Sequence, residues 1–187
     1  MTNFRKIDAT LTVNGKSMQL GNESLCNMLM SFLDELASSD ILAELSFAED
    51  SELRRCVARS KNLNAETVAR LVKDPSERVV AYLLDSKSAI KYLTQEEIIE
   101  AINRSAEIAG NVAENLGRLS KINPNVDIAE LYRILASHHD SRVRGTIAKS
   151  AEAPLAVIQS LVLDSDADVA YQAKDTEWAI KKISVKS

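Results

Sequence analysis

Four basic side chains stand at helical spacing in the segment 54–78. Arg55 and Arg59 are four residues apart, and Arg70 and Lys73 are three apart. Residues three or four apart share one face of an α-helix, so the spacing predicts two basic rows on consecutive short helices. Such rows could attract acidic side chains or a phosphate. The alternative is that these bases balance a neighbouring acidic segment, through contacts worth about 0–1 kcal/mol each.

The other chemically capable residues do not combine into a predicted metal or catalytic site. His138 and His139 precede Asp140, but adjacent side chains on a helix diverge by about 100° and no third ligand is nearby. Cys26 and Cys56 lie among apolar neighbours and are expected to be small buried side chains. The sequence has no glycine-rich phosphate loop, nucleophile elbow or His–Glu zinc motif. We therefore expect no catalytic residue, no metal and no cofactor.

The composition favours a helical protein. Of the 187 residues, 45% are hydrophobic and 4% aromatic, with 5 Gly and 3 Pro, and so few turn formers favour helices over sheets. The length suits one domain. The net charge of −4 argues against nucleic-acid binding, which needs a basic surface. No signal peptide and no window apolar enough to span a bilayer is found, so we expect a cytoplasmic protein without membrane association.

Charge is distributed unevenly along the chain. Residues 17–53 contain eight acidic side chains and no Lys or Arg, whereas residues 54–78 contain seven basic side chains against three acidic ones. Neighbouring blocks of opposite charge either solvate adjacent surfaces or create a binding potential for a charged partner. The sequence alone leaves both interpretations open.

Local patterns predict a β-hairpin followed by short helices. Apolar and polar residues alternate around Asn14-Gly15, which suits a type I′ turn, so a hairpin is expected over 10–20. Apolar residues recur at helical spacing from Leu25 to Ala37, and another helix is expected after Asp40 as its N-cap. Four further helix starts are predicted, the first with Asp74 at the N-cap: Asp74-Pro75-Ser76-Glu77, Thr94-Gln95-Glu96-Glu97, Asp127-Ile128-Ala129-Glu130 and Pro154.

An internal repeat organises most of the chain. Residues 50–85 align without a gap onto 140–175, and repeat units begin near 50, 74, 105, 140 and 164. Helices of eight to ten residues are marginal alone in water, so stacked units that bury one another's apolar faces are expected. Ten of the thirty-six aligned positions are identical: Asp50/Asp140, Ser51/Ser141, Arg54/Arg144, Ala58/Ala148, Ser60/Ser150, Leu71/Leu161, Val72/Val162, Asp74/Asp164, Val79/Val169 and Asp85/Asp175.

Each aligned segment has an Asp, an aliphatic–Arg pair, an aliphatic–Ala pair and two aliphatic positions in a second helix: Asp50, Leu53, Arg54, Val57, Ala58, Val68 and Leu71, then Asp140, Val143, Arg144, Ile147, Ala148, Ile158 and Leu161. On this pattern the chain resembles the leucine-rich repeat variant family and, more loosely, HEAT and armadillo-type repeats, over about residues 48–175. The resemblance implies an irregular right-handed superhelix of alternating helices. One member type of the family carries an iron–sulfur cluster, but two cysteines thirty residues apart do not supply its four ligands.

Three further expectations concern individual side chains in or next to the aligned segments. The Asp50/Arg54 and Asp140/Arg144 pairs are predicted to form a structural ladder between repeat units, with each Arg reaching toward the Asp or a loop carbonyl. Trp178 is expected to cover the apolar end of the last unit. Where the first copy has Arg55, Arg59, Arg70 and Lys73, the second copy has Gly145, Lys149, Ser160 and Leu163, which favours a binding role for the basic rows.

The sequence as a whole predicts an all-α, HEAT-like solenoid over 48–187, with an N-terminal hairpin and helical cap over 1–47. The favoured function is a non-catalytic adaptor or scaffold that binds a protein or peptide partner on a curved face. One alternative is an inhibitor or immunity-type protein that acts through the acidic segment 17–53. Another is a HEAT-like nucleic-acid-binding protein, which the net charge disfavours. The chain is expected to be a monomer or a weak homodimer.

Overall fold

The computed structural model describes residues 4–28, 30 and 38–184, and these are mostly helical with one small β-hairpin, as predicted. The second half of the helix predicted from Leu25 to Ala37 lies outside the described residues. No helix in the described part combines the length and apolar character needed to cross a membrane. In chain order the elements are β1 (Ala9–Val13), β2 (Lys16–Leu20), α1 (Asn22–Met28), α2 (Ser39–Leu45), α3 (Ser51–Ala58), α4 (Ala65–Leu71), α5 (Glu77–Asp85), α6 (Lys87–Ile90), α7 (Gln95–Ile102), α8 (Ala106–Ile122), α9 (Ile128–Ala136), α10 (Ser141–Ala148), α11 (Leu155–Leu161) and α12 (Ala167–Ser184).

The contacts between Cα atoms divide the chain into two units, which we call unit 1 (Met1–Leu93) and unit 2 (Thr94–Ser187). The boundary that the sequence indicates at 47/48 therefore lies inside unit 1. In unit 1, α3 packs on α1 and α5, and in unit 2, α10 packs on α8 and α12. Both cores are aliphatic, and their fully buried side chains include Leu53, Leu71 and Leu83 in unit 1 and Leu116, Leu131 and Leu135 in unit 2.

The hairpin turns at the predicted dipeptide. β1 and β2 pair antiparallel, with Leu11 opposite Met18. Asn14 and Gly15 have φ angles of 50° and 76°, in the left-handed region that these two residue types tolerate best. Most side chains of both strands are exposed, so the hairpin adds little to the core.

The residues before the hairpin lie along the loop that precedes α3. The Arg5 N–H donates to the Phe47 carbonyl at 2.7 Å, and the Glu49 N–H donates to the Arg5 carbonyl at 2.9 Å. The guanidinium carbon of Arg54 lies 3.9 Å from the centroid of the Phe4 ring. Two residues near the N-terminus are thus held against the start of the first aligned segment.

Side-chain caps begin several helices, and one of them corrects a prediction. Thr94 and Glu97 form the predicted capping box at the start of α7. The predicted N-cap at Asp40 is wrong, because the Ser38 hydroxyl accepts the Ile41 N–H and Asp40 lies inside α2.

A buried ion pair holds the first aligned segment together. Arg54 donates to Asp74 through Nε at 2.7 Å and Nη2 at 3.0 Å, and its Nη1 donates to the carbonyls of Ala48 at 2.7 Å and Glu49 at 2.8 Å. The two side chains are 3% and 2% exposed. Asp74 also accepts the Ser76 N–H at 2.9 Å. The predicted N-cap at Asp74 is therefore wrong. The Asp74 carboxylate accepts hydrogen bonds from Arg54 and from the turn at Ser76, and Ser76 is the N-cap residue of α5.

Unit 2 contains the same network with every residue number raised by 90. Arg144 donates to Asp164 at 2.7 and 2.8 Å, and to the carbonyls of His138 at 2.9 Å and His139 at 3.1 Å. The Asp166 N–H donates to Asp164 at 2.8 Å. The hydrogen bonds from Arg144 hold the pKa of Asp164 below its ordinary value. The repeated geometry ties the loop before one helix to the start of a later helix.

The predicted ladder thus has different carboxylates from those expected. Asp50 caps α3 by accepting the N–H groups of Glu52 and Leu53. Asp140 caps α10 and also accepts the Arg142 guanidinium, at 2.6 Å for the shorter contact. Because the carboxylates of Asp50 and Asp140 cap the helices that follow them, each ladder arginine binds the Asp twenty residues further along the chain. Each arginine also binds the expected loop carbonyls.

Leu71 and Leu161 occupy aligned positions and are at most 2% exposed. We expect Leu71→Ala and Leu161→Ala each to lower the free energy of unfolding by about 2–4 kcal/mol, since each leaves a cavity in its unit. Urea melts followed by circular dichroism measure the change. A loss below about 0.5 kcal/mol at both sites would contradict the alignment.

Arg54→Met should lower the free energy of unfolding by about 3–5 kcal/mol, because it leaves the buried Asp74 carboxylate without its counter-ion. Arg55→Met, one residue away with 19% of its side chain exposed and an ion pair to the exposed Glu52, is the matched control and should cost at most about 1 kcal/mol. Adding Asp74→Asn to Arg54→Met should restore part of the loss, since the remaining side chain is then neutral. Similar melts for Arg54→Met and Arg55→Met would refute this account.

Candidate partner-binding surfaces

The predicted basic row on α3 meets a tyrosine that the spacing did not single out. The guanidinium carbons of Arg55 and Arg59 lie 4.9 and 5.1 Å from the centroid of the Tyr82 ring, within cation–π range. Arg55 also donates to Glu52 at 2.8 Å. The exposed Arg78 lies four residues before Tyr82 on α5 and therefore shares its side of that helix. We call Arg55, Arg59, Arg78 and Tyr82 the basic face.

The second predicted row does not form. Arg70 packs against the Phe47 ring, with its guanidinium carbon 3.6 Å from the centroid, and donates to the Ala43 carbonyl at 3.1 Å and to the Ser46 hydroxyl. α4 ends at Leu71, so the exposed Lys73 is not on a helix face with Arg70. Arg70 also donates to Glu66 at 3.2 Å, so its guanidinium already has partners inside unit 1 and the candidate surface does not include it.

Two polar grooves lie on unit 2, where α10 packs against its neighbours. The groove between α10 and α12 has a volume of about 390 Å³, and the groove between α8 and α10 about 500 Å³. Arg142 and Thr146 line both of them, and we call the pair the α10 grooves. Charged side chains of both signs complete the lining, with Lys149, Asp166 and Asp168 in the first groove and Glu107 and Glu114 in the second.

A helix-interior glycine lines each groove, Gly145 on α10 and Gly110 on α8. Glycine inside a helix is less stable than alanine by about 0.5–1 kcal/mol. Neighbouring atoms do not require it here: a Cβ on Gly145 would lie 3.8 Å from the nearest side-chain atom, on Val169, and a Cβ on Gly110 would meet nothing within 4 Å. The glycines instead leave the helix backbone accessible from the grooves.

Equivalent positions in the two units carry very different surface residues. In the ungapped alignment, Arg55 and Tyr82 of the basic face correspond to Gly145 and Gln172, which line the groove between α10 and α12. Large side chains therefore stand in unit 1 where unit 2 keeps open space. Because the helices beneath pack alike in both units, packing does not dictate these surface residues.

The other candidate groups take structural positions. Nδ1 of His138 accepts the Asp140 N–H at 3.1 Å, and burial together with the neighbouring His139 lowers the pKa of His138. Burial and a hydrogen bond with Cys56 raise the pKa of the Cys26 thiol to about 12. Within the described residues, no group of three or more His, Cys, Asp or Glu side chains is placed to hold a metal ion.

Trp178 does not cover an apolar end of unit 2, and that prediction is wrong. Its side chain is 62% exposed, and the Lys182 ammonium lies 4.6 Å from its ring centroid. α12 instead buries Val169 and Ala173, which lie nearer its start.

Comparison with known proteins adds no function. No protein-family model matches the chain, and no curated protein matches it. The solved structures that match include the crystal structure of an engineered protein, 16% identical, with 87% of this chain and 85% of that chain covered and a TM-score of 0.44.

Gly110→Ala and Gly145→Ala should each raise the free energy of unfolding by about 0.5–1 kcal/mol, because alanine is the better helix former and its Cβ fits. Gly15→Ala is the control and should lower it, since Gly15 has a φ of 76° that alanine adopts with strain. Urea melts of the three variants measure these changes. Destabilisation by both helix substitutions would mean that packing, rather than groove access, requires the glycines.

Proposed function

We propose that the chain is a non-catalytic, HEAT-like helical-repeat protein that binds a protein or peptide partner. The observation that carries the proposal is the pair of α10 grooves, each with a glycine that the fold does not need. A helix that gives up stability without a packing reason is typical of a functional surface. Stacked helices that present an extended polar surface are the usual way in which such repeats bind other chains.

The lining of the grooves supports a peptide as the ligand. An extended peptide carries amide groups and side chains of either charge, and the groove between α10 and α12 offers matching partners in Lys149 and Gln172 on one hand and Asp168 on the other. Access to the backbone at Gly110 and Gly145 suits the close approach of a second main chain.

The two alternatives have less support. Nucleic acid is disfavoured because the grooves hold acidic side chains, such as Glu107 and Glu114, that would repel a phosphate backbone. The inhibitor hypothesis needs free acidic groups in segment 17–53, where several have internal partners: Glu44 pairs with Arg5, Asp50 caps α3 and Glu52 pairs with Arg55.

The aligned segments supply the experiment. Gly145→Arg with Gln172→Tyr installs in unit 2 the residues that unit 1 accommodates at the same positions, and should fill the groove between α10 and α12 without unfolding the protein. Peptides selected from a displayed random library against the wild-type chain should bind this variant at least about tenfold more weakly, a loss of about 1.4 kcal/mol. Fluorescence anisotropy measures the dissociation constants.

Ser120→Arg, an exposed substitution on α8 away from both grooves, should leave those dissociation constants within about twofold. Thermal melts establish that both variants remain folded. The proposal fails if the filled-groove variant stays folded and binds every selected peptide as tightly as the wild type, or if the library yields no ligand.

A further inference from the structure

The basic face of unit 1 differs from the α10 grooves in carrying three arginines, of which Arg55 alone is paired with an acidic side chain among the described residues. Arg55 forms an ion pair with Glu52, but Arg59 and Arg78 form no ion pair with any residue that the structure describes. Two unneutralised guanidinium groups thus stand on neighbouring helices of a chain whose net charge is −4. Local charge of this kind attracts an anionic partner against the overall charge of the protein.

Tyr82 limits the motion of two arginine side chains in the basic face. The Tyr82 ring contacts the guanidinium groups of Arg55 and Arg59 and so restricts two long side chains before any ligand arrives. Restriction of this kind reduces the entropy lost on binding. The N–H donors of a guanidinium lie in its plane and match two oxygens of a carboxylate or phosphate. The Tyr82 hydroxyl has no hydrogen-bond partner among the described residues and adds a further donor.

The fold itself does not require the basic face. The aligned positions in unit 2 hold Gly145 for Arg55, Asp168 for Arg78 and Gln172 for Tyr82, with charge retained only as Lys149 for Arg59. An acidic residue at the Arg78 position shows that the helix pair packs with either sign of charge there.

We infer that the basic face binds an oxyanion-bearing segment of the partner peptide, in which the oxyanion is a phosphate monoester or a cluster of carboxylates. The inference rests on the proposed function, since it names the chemistry of a peptide ligand. A phosphorylated or acidic peptide is favoured over RNA because the half-buried Tyr82 ring is engaged by guanidinium groups and does not offer a free face on which bases stack.

Three matched peptide libraries test the inference, centred on phosphoserine, on a run of glutamates and on unmodified serine. The wild-type chain should bind at least one oxyanion library about tenfold more tightly than the serine library, as expected for charge-assisted hydrogen bonds. Arg59→Gln with Arg78→Gln should remove that preference. Arg133→Gln with Lys181→Gln changes the net charge equally on exposed sites of unit 2 and should keep the preference within about twofold.

The outcomes separate this inference from the proposed function. Preference for phosphoserine or for glutamate identifies which oxyanion the face takes, and either result supports the inference. It is overturned by equal binding of the three libraries, by equal losses in the two double variants, or by a single-stranded RNA that binds more tightly than every peptide. A further outcome is that the selected peptides bind the Gly145→Arg, Gln172→Tyr variant more weakly and yet bind the Arg59→Gln, Arg78→Gln variant as tightly as the wild type. In that case the proposed function stands and the inference about the basic face fails.

Discussion

A buried arginine cannot remain in a protein interior unless nearly all of its donors are bound. Arg54 is such an arginine, and Arg144 is its less buried counterpart, with 13% of its side chain exposed. Arg54 and Arg144 each donate to a carboxylate and to two loop carbonyls, with distances between 2.7 and 3.1 Å. The desolvation of such a pair is costly, so its value is less in net stability than in specifying one arrangement of loop and helix. That arrangement fixes how α3 meets α5 in unit 1 and how α10 meets α12 in unit 2.

With the interior fixed in this way, the outer positions of the same helices are free to change. The fifth residue of α3, α8 and α10 is Arg55, Gly110 and Gly145 respectively, and each helix begins after a side-chain cap. One scaffold position therefore gives a charged surface in one place and an open groove in two others. Such division, with constant residues inside and variable residues outside, allows a repeat to change its ligand without changing its fold.

Short-range features were predictable and long-range partners were not. The turn at Asn14-Gly15 and the capping box at Thr94 depend on neighbouring residues, and both are present. The acid bound by Arg54 was misassigned because sequence spacing favours the near carboxylate, whereas the folded chain uses that carboxylate as a cap. No local sequence feature predicts the contact of Tyr82 with Arg55 and Arg59, since only the packing of α5 on α3 brings these side chains together. Gly145 does carry a sequence signal for an open helix surface, because it is a glycine inside a predicted helix of a glycine-poor chain.

The contact of residues 4–5 with the loop before α3 gives the two networks different histories during synthesis. Each of the two Arg–Asp pairs joins residues 20 apart, whereas Arg5 reaches Glu44 across 39 residues. Doubling the length of a closed loop costs only about 0.6 kcal/mol, so this closure is thermodynamically minor. It is nevertheless ordered in time, because residues 4–5 leave the ribosome before the loop that receives them leaves it. The surroundings of Arg54 are therefore completed by residues 4–5, which emerge long before it, while Arg144 is enclosed by residues that emerge close together.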